Sequence, residues 1–221
     1  MTTRTTQGIG MTSQRTRERM VQRLGDLGIT NLRVLEAMLH TPRHLFVDEA
    51  FSHRAYEDVA LPIAFNQTIS QPYIVARMSE VLMAALPEQP RILEIGTGCG
   101  YQTAVLARLV QHVYSIERIA PLLERTRARF RELRIANITL KCADGSFGWS
   151  QHAPFDGIIV TAAAPVVPEA LLKQLAAGGT LVLPEGGRVQ KLRVYRKMDE
   201  QLAVEELEEV RFVPLLGGVE R

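Results

Sequence analysis

The sequence predicts an α/β fold: a mostly parallel twisted sheet with helices on both faces, an N-terminal helical cap, and antiparallel strands at the C-terminal edge. Three observations predict it. From Arg91 onward, short apolar runs alternate with helical patterns, as strand–helix–strand units require. A glycine-rich turn, Leu93-Glu94-Ile95-Gly96-Thr97-Gly98-Cys99-Gly100-Tyr101, joins the first run to the first helical pattern. After Gly186-Gly187 two long runs follow, Val189–Met198 and Leu202–Pro214, with Asp199-Glu200 between them; a β-hairpin fits.

Composition bounds the rest. The 221 residues are 46% hydrophobic and 23% charged, which is ordinary globular usage. That length supports one α/β domain with a sizeable core and not two. A net charge of +2 does not argue for nucleic acid. Arginines do cluster locally, at 118, 125, 127, 129, 131 and 134. The stripe Leu122, Thr126, Phe130 and Leu133 faces the core of the same helix, so these arginines read as a solvated face. An RNA-binding patch is the alternative. Cys99 and Cys142 read as reduced thiols of a cytoplasmic protein. No apolar run reaches membrane-spanning length, and no signal peptide is visible. The first residues, through Arg17, carry arginine and threonine but no acid. They read as a disordered tail, with a transit peptide as the weaker alternative, and Met1 and Met11 are both candidate starts.

The elements follow in order. Met20, Val21, Leu24 and Leu27 mark an amphipathic helix closed near Gly28. Thr30 is a candidate cap for a second helix carrying Leu32, Leu35, Met38 and Leu39, stopped by Pro42. His44 to Ser70 has no clear period. Ser70-Gln71-Pro72 reads as a helix start with proline in the first turn. Ile74, Val75, Met78, Val81, Leu82 and Ala85 would form that helix's apolar face, ended by Pro87 and Pro90. Strands are expected at Arg91–Ile95, Val113–Ile116, Ile138–Cys142, Phe155–Thr161 and Gly179–Pro184. Helices are expected near Tyr101–Val110, Pro121–Leu133 and Pro168–Ala176. The organisation is a tail over 1–12 and one domain over 13–221. Within that domain, 13–90 forms a helical cap and substrate segment, 91–185 a cofactor-binding core, and 186–221 a hairpin with substrate closure.

The glycine turn carries the chemistry. Gly96, Gly98 and Gly100 let the backbone turn tightly and approach a ligand closely. The helix that opens there points free N–H groups into the turn. Glu117 ends the second apolar run, where a Rossmann-type fold holds the two hydroxyls of a ribose. The third glycine comes one residue earlier than the dinucleotide fingerprint requires. That favours a nucleoside without pyrophosphate, S-adenosylmethionine being the common one. Asp144 of Ala143-Asp144-Gly145 is placed to accept from an adenine amino group, although an Asp-Gly turn alone would also explain it.

The strand ending at Thr161 leaves small residues, Ala162-Ala163-Ala164-Pro165, facing the methyl donor. The Asn/Asp-Pro-Pro-aromatic tetrad of base-nitrogen methylases is absent there, and so is a cysteine nucleophile for pyrimidines. Thr68 and Ser70 stand before a helix whose N-terminus offers donors to a carboxylate; Ser70 as a plain N-cap is the alternative. His40 and His44 flank Pro42, lack a third ligand, and read as structural, so no metal is expected.

At these residues the chain resembles the bacterial protein-L-isoaspartate O-methyltransferases, enzymes with the Rossmann-like class I methyltransferase fold. The likeness runs from about Met11 to Leu216. It rests on Thr68-Ile69-Ser70-Gln71-Pro72-Tyr73-Ile74-Val75-Ala76, on Leu93–Ala104, on Phe155–Pro165 and on Val210-Arg211-Phe212-Val213-Pro214-Leu215. The resemblance implies a repair enzyme. It would move a methyl group from S-adenosyl-L-methionine to the free α-carboxylate of L-isoaspartyl residues, leaving S-adenosyl-L-homocysteine. The ester would then close to a succinimide.

By the same resemblance Ser70 is the catalytic residue. Gln67, Thr68 and Ile69 line the cofactor pocket, Gly96, Gly98 and Gly100 surround the methionine part, Glu117 takes the ribose, and Asp144 and Gly145 lie near the adenine. Glu94, Thr97, Gln102 and Thr161 complete the cofactor set. Thr68, Ser70, Val213 and Leu216 touch substrate. The implied partners are isoaspartyl proteins and peptides, with no nucleic acid and no membrane, and the implied state is a monomer. Two positions depart from the family pattern: Cys99 replaces a serine and Ala143 a glycine. Cys99 would make the site sensitive to thiol reagents if exposed. The rival reading is a class I methyltransferase acting on a small molecule or RNA, which shares Gly96–Gly100 and Glu117 but needs no Thr68–Tyr73 segment.

Overall fold

The computed structural model describes residues 8–198 and 201–221. The expected tail therefore lies partly outside the described residues, as do Met1 and the Asp199-Glu200 tip of the hairpin. Within the tail's expected span, Gly10–Thr12 forms a 3-10 turn.

A seven-stranded sheet organises the chain, in the order β5-β4-β3-β6-β7-β8-β9. Its parallel part is β3 (Arg91–Ile95), β4 (His112–Glu117), β5 (Ile138–Cys142), β6 (Phe155–Val160) and the start of β7 (Leu175–Gly186). The antiparallel edge is β8 (Gln190–Met198) on β7 and β9 (Gln201–Val210) on β8. β7 starts earlier than expected because the preceding helix closes after Lys173. Alternate residues of β3 face opposite layers. Ile92 joins a core cluster with Met20, Leu24, Val34, Met38 and Leu82, whereas Leu93 and Ile95 join one with Trp149, Leu171 and Leu181. Both faces of a parallel sheet are thus buried, as its near-continuous apolar strands demand.

Helices α1 (Gln14–Asp26), α2 (Leu32–His40) and α3 (Pro72–Met83) build the N-terminal layer. The second of these corrects the expectation in two ways. Its cap is Asn31, whose side chain accepts from the Arg33 and Val34 amides; Thr30 instead donates to Glu80. Its buried face is Val34, Ala37 and Met38, while Leu32 points outward at 79% exposure. Helix α3 ends at Met83, so Ala85 lies outside it and is exposed.

The irregular stretch before α3 holds 3-10 turns over Arg43–Leu45 and Glu49–Arg54 and a short ribbon. The ribbon pairs β1 (Leu61–Pro62) with β2 (Thr68–Ile69). Phe65 and Asn66 both adopt positive φ at its tip, the backbone of a tight hairpin turn.

Helices α4 (Tyr101–Leu106), α5 (Ala120–Glu132) and α6 (Glu169–Lys173) complete the crossovers. Helix α5 ends in a Schellman motif: the Ile135 amide reaches the Phe130 carbonyl and the Arg134 amide the Arg131 carbonyl. Arg134 occupies the left-handed position with φ +54, where glycine is usual.

Of the clustered arginines, most find protein partners. Arg118 pairs with Glu220, Arg125 with Asp48 and Arg127 with Glu124. Arg129 donates to the Cys99 carbonyl at 2.7 Å. Among the described residues, no helix is long and apolar enough to cross a membrane.

Candidate active site

The carboxyl ends of β3, β4 and β6 frame a cavity. The ribbon β1–β2 and the start of α3 close it on the opposite side. Most of the expected residues meet here: Gln67, Thr68, Ile69, Ser70, Gly96, Thr97, Gly98, Gln102, Glu117, Thr161 and Val213 all line it. Cys99 and Ala162, expected beside the cofactor, line it too, and so do Val75 and Tyr101, which were not singled out for it. Val75 reads as a core residue in sequence, and only its placement beside the turn reveals the second role.

Glu117 anchors the turn. Its Oε2 accepts from the Gly98 amide at 2.8 Å and its Oε1 from the Ile119 amide at 3.0 Å. A carboxylate has about four acceptor sites, so capacity remains for a pair of hydroxyl donors. Gly96 has φ +96, and a Cβ there would collide with the Thr161 hydroxyl. That hydroxyl donates to the Gly96 carbonyl at 2.7 Å. Backbone without side chains therefore forms the floor, as a ligand lying flat on the turn needs. Gln102 is held by a 2.9 Å bond to Ser79, and Thr97 by a 2.7 Å contact with Ser115.

Four expected cofactor residues, Glu94, Gly100, Asp144 and Gly145, sit outside this lining. Gly100 caps α4 with φ +89 and faces Phe130 and Thr126, so its missing side chain serves helix packing. Glu94 lies beneath the turn, fully buried. Its Oε2 accepts from Thr103 at 2.6 Å and Ser115 at 2.5 Å. Burial pushes its carboxyl up from 4.5 to about 8, against those two hydrogen bonds. Gly145 packs on Ile95.

Asp144 is occupied by the chain itself. Oδ1 takes the Ser146 amide and hydroxyl, and Oδ2 takes the Gly218 amide at 2.7 Å. Burial would raise its pKa, but these bonds and nearby Arg118 outweigh that and hold it below the usual carboxylate value. The C-terminal segment is pinned here: Glu220 bridges to Ile119 and pairs with Arg118. Leu216 is half exposed beside this segment, while Leu215 bonds to the Ala163 carbonyl.

Ser70 is not the helix cap. The cap of α3 is Gln71, and the Tyr73 amide is taken by Asp58 Oδ1 at 2.8 Å. The carboxylate expected at this helix end is thus internal, supplied by Asp58. The Ser70 hydroxyl makes no hydrogen bond to another described residue and faces the cavity. Cys99 is buried at 6% exposure, and burial pushes its thiol pKa up. The condition for thiol sensitivity is not met there; Cys142 is the exposed thiol. His44 contacts the Tyr56 hydroxyl at 2.7 Å, and His40 ends α2.

A second cavity of about 960 Å³ opens beside the first and shares Thr68, Ser70, Thr161 and Val213 with it. It runs between Tyr73 and Ile74 of α3 and the segment Glu208–Phe212. The Gln190 side chain fixes that segment by binding both the amide and the carbonyl of Phe212. The arrangement can hold a nucleoside on the glycine turn and a chain-like second ligand in the groove, with their ends meeting at Ser70.

Comparison with known proteins agrees. A protein from Cellvibrio japonicus, named protein-L-isoaspartate O-methyltransferase, is 56% identical over the full length of both chains. One of the same name from Hahella chejuensis is 57% identical over 96% of this chain and all of its own. A solved protein-L-isoaspartate O-methyltransferase superposes with a TM-score of 0.83 at 30% identity, covering 92% of this chain and 67% of that one. A Plasmodium falciparum structure described under the same enzyme name, in complex with S-adenosyl-L-homocysteine, gives 0.79 at 25% identity over 90% and 98%. The model of the protein-L-isoaspartate(D-aspartate) O-methyltransferase family matches residues 15–220, and the chain belongs to that family.

Proposed function

We propose that this chain repairs damaged proteins by methylating the free α-carboxylate of L-isoaspartyl residues, with Ser70 as the residue that orients that carboxylate. The observation that carries this reading is the shared wall of the two cavities: Ser70 and Thr68 border both, so a carboxylate from the groove reaches the end of the glycine-turn cavity.

The residues fit S-adenosyl-L-methionine. Gly96 and Gly98 give its amino-acid part a side-chain-free bed, and Glu117 takes its ribose hydroxyls. When bound, this cofactor supplies an electrophilic methyl group on a sulfonium and leaves as S-adenosyl-L-homocysteine.

The protein's own work is positional. A peptide carboxylate with a pKa near about 4 is already ionised at neutral pH, so no general base is needed. Ser70 donates its hydroxyl to one carboxylate oxygen and leaves the other free to attack. Thr68, Thr161 and Val213 wall the meeting point and exclude water. Holding oxygen, methyl carbon and sulfur in line can contribute roughly 7–11 kcal/mol of barrier lowering. The methyl ester then closes on the neighbouring amide nitrogen with loss of methanol. Hydrolysis of that succinimide returns part of the chain to normal aspartate.

The groove's volume of about 960 Å³ suits a peptide segment more than a small metabolite, and its walls carry both Arg188 and Glu208. The reading takes the enzyme as a cytoplasmic monomer acting on isoaspartyl proteins and peptides, without nucleic acid or membrane. Two free thiols support the cytoplasmic part of this reading. Residues 13–90 act as the substrate cap, 91–185 as the cofactor core and 186–221 as the closing edge. Incubating an isoaspartyl peptide with the protein and S-adenosyl-L-methionine tests the reading: chromatography should show a succinimide and then the normal aspartyl peptide. Ester formation on other carboxylates without that conversion would overturn it.

A further inference from the structure

We propose that a third cavity, on the far side of α4 from the glycine turn and walled by Arg17, Arg108 and Arg134, binds a small phosphate-bearing anion. The cavity measures about 390 Å³ and shares no residue with the two that meet at Ser70. Arg17 forms its floor at 8% exposure, donating to the Leu39 carbonyl at 3.1 Å. Arg108 and Arg134 stand at its mouth with His40. No Asp or Glu among the described residues lines it.

Arg108 and Arg134 differ from most of the other arginines around α5; Arg131 shares their lack of a partner among the described residues but does not line the cavity. Arg118, Arg125 and Arg127 each have a carboxylate partner, and Arg129 has a carbonyl. The Arg108 and Arg134 side chains make no ion pair or hydrogen bond with another described residue. Burial and the charge of Arg17 both lower the Arg108 pKa, the mark of two cations facing one space. Arg134 is aimed there from its left-handed backbone position.

A simpler explanation is that these cations complement helix ends. The last residue of α2, His40, lines the cavity, as do Ala107 and Leu133, which follow α4 and α5. Each helix end carries about half a negative charge at most, so together they offset ~1.5 of three positive charges. Part of that is already used, because Asn137 ties up the Ala107 and Val110 carbonyls. A surplus of positive charge remains around a space large enough for a small organic ligand. Planar guanidinium forks match phosphate oxygens. The opposite wall, Phe46, Leu133 and Ile135, is apolar and suits a carbon skeleton. The fitting ligand is therefore a small phosphate-bearing anion, either inorganic pyrophosphate or the phosphate ester of a small sugar.

Calorimetry on the full chain tests this, with the cofactor cavity first saturated with S-adenosyl-L-homocysteine in the same cell. Pyrophosphate and ribose 5-phosphate are titrated separately. We expect one saturable site, weakened at least about tenfold in Arg108→Gln/Arg134→Gln. A control pair that removes equal charge elsewhere, Arg125→Gln/Arg131→Gln, should bind like the parent. Tighter binding of the sugar phosphate would identify an organic ester as the ligand, and binding of pyrophosphate alone an inorganic one. Absence of saturable binding for both anions, or equal weakening in the control pair, would overturn the proposal. Thermal melts of both variants show whether any loss reflects unfolding.

Discussion

Glu117 Oε2 accepts a hydrogen bond from the Gly98 amide at 2.8 Å. This bond ties the tip of β4 to the glycine turn after β3, so one carboxylate both shapes the turn and faces the cavity. Its second oxygen holds the Ile119 amide at the start of α5. Glu117→Gln places an amide NH2 against one of these N–H donors. S-adenosyl-L-homocysteine should then bind about 10- to 100-fold more weakly, the cost of losing a bond to a charged acceptor. Calorimetry measures it, and unchanged affinity would remove Glu117 from the proposed ribose site.

The Ser70 hydroxyl has no hydrogen-bond partner among the described residues and sits between two cavities. Ser70→Ala should leave S-adenosyl-L-homocysteine binding within about twofold and lower kcat/KM about 10- to 100-fold, as expected for lost alignment. Steady-state methyl transfer at several peptide concentrations checks it. Unaltered kinetics would end the orienting role.

Gly100 contributes to stability through packing. A Cβ there would lie 2.5 Å from Phe130 Cζ and 2.7 Å from Thr126 Cγ2, on a backbone at φ +89. Gly100→Ala should cost about 2–4 kcal/mol from overpacking and left-handed strain together. At Gly98, with φ +54, the nearest atom is Ile63 Cδ1 at 3.9 Å. Gly98→Ala should cost only about 1–2 kcal/mol, the strain alone. Urea denaturation of both variants compares them; equal losses would contradict the packing argument.

Glu94 makes stability depend on pH in a defined direction. Burial keeps its carboxyl protonated up to about 8, whereas an unfolded carboxyl releases its proton near 4.5. Between these values the native state binds more protons than the unfolded chain, so stability falls as pH rises through that window and levels off above it. Glu94→Gln keeps an acceptor for Ser115 and Thr103 and removes the titration. Urea melts at pH 5 and pH 9 should show a smaller loss in the variant than in the parent. Identical losses would mean that Glu94 is ionised in the native state.

The sequence was most readable where structure is local and periodic. The bounds of β3 and β5 agree with the expected strands to the residue, because turn-forming residues flank each run: Pro90 and Gly96 around β3, Asn137 and Ala143-Asp144 around β5. Helix α2 was read less well. Its regular leucines suggested an inner face, yet Leu32 sits in the first turn and points outward while smaller Val34 and Ala37 touch the core. Asn31 won the cap over Thr30 because Glu80, far along the chain, captured Thr30. Long-range captures of this kind leave no local trace.

The site shows the same division. The glycine turn and Glu117 followed from spacing on adjacent strands, and the structure joins them by one bond. The Gln67–Ser70 segment carried no chemical signal of its own beyond two hydroxyls, and the family resemblance alone linked it to the turn. The destinations of Asp144 and Asp58 were not readable, since one holds Gly218 and the other the Tyr73 amide.

The most direct test uses two synthetic peptides, identical except for L-isoaspartyl or normal L-aspartyl at one position. Each is incubated with the protein and methyl-labelled S-adenosyl-L-methionine. Base-labile label on the isoaspartyl peptide alone is the predicted result. Label on both peptides, or on neither while S-adenosyl-L-homocysteine binds, would contradict the assignment of isoaspartyl carboxylates as the substrate.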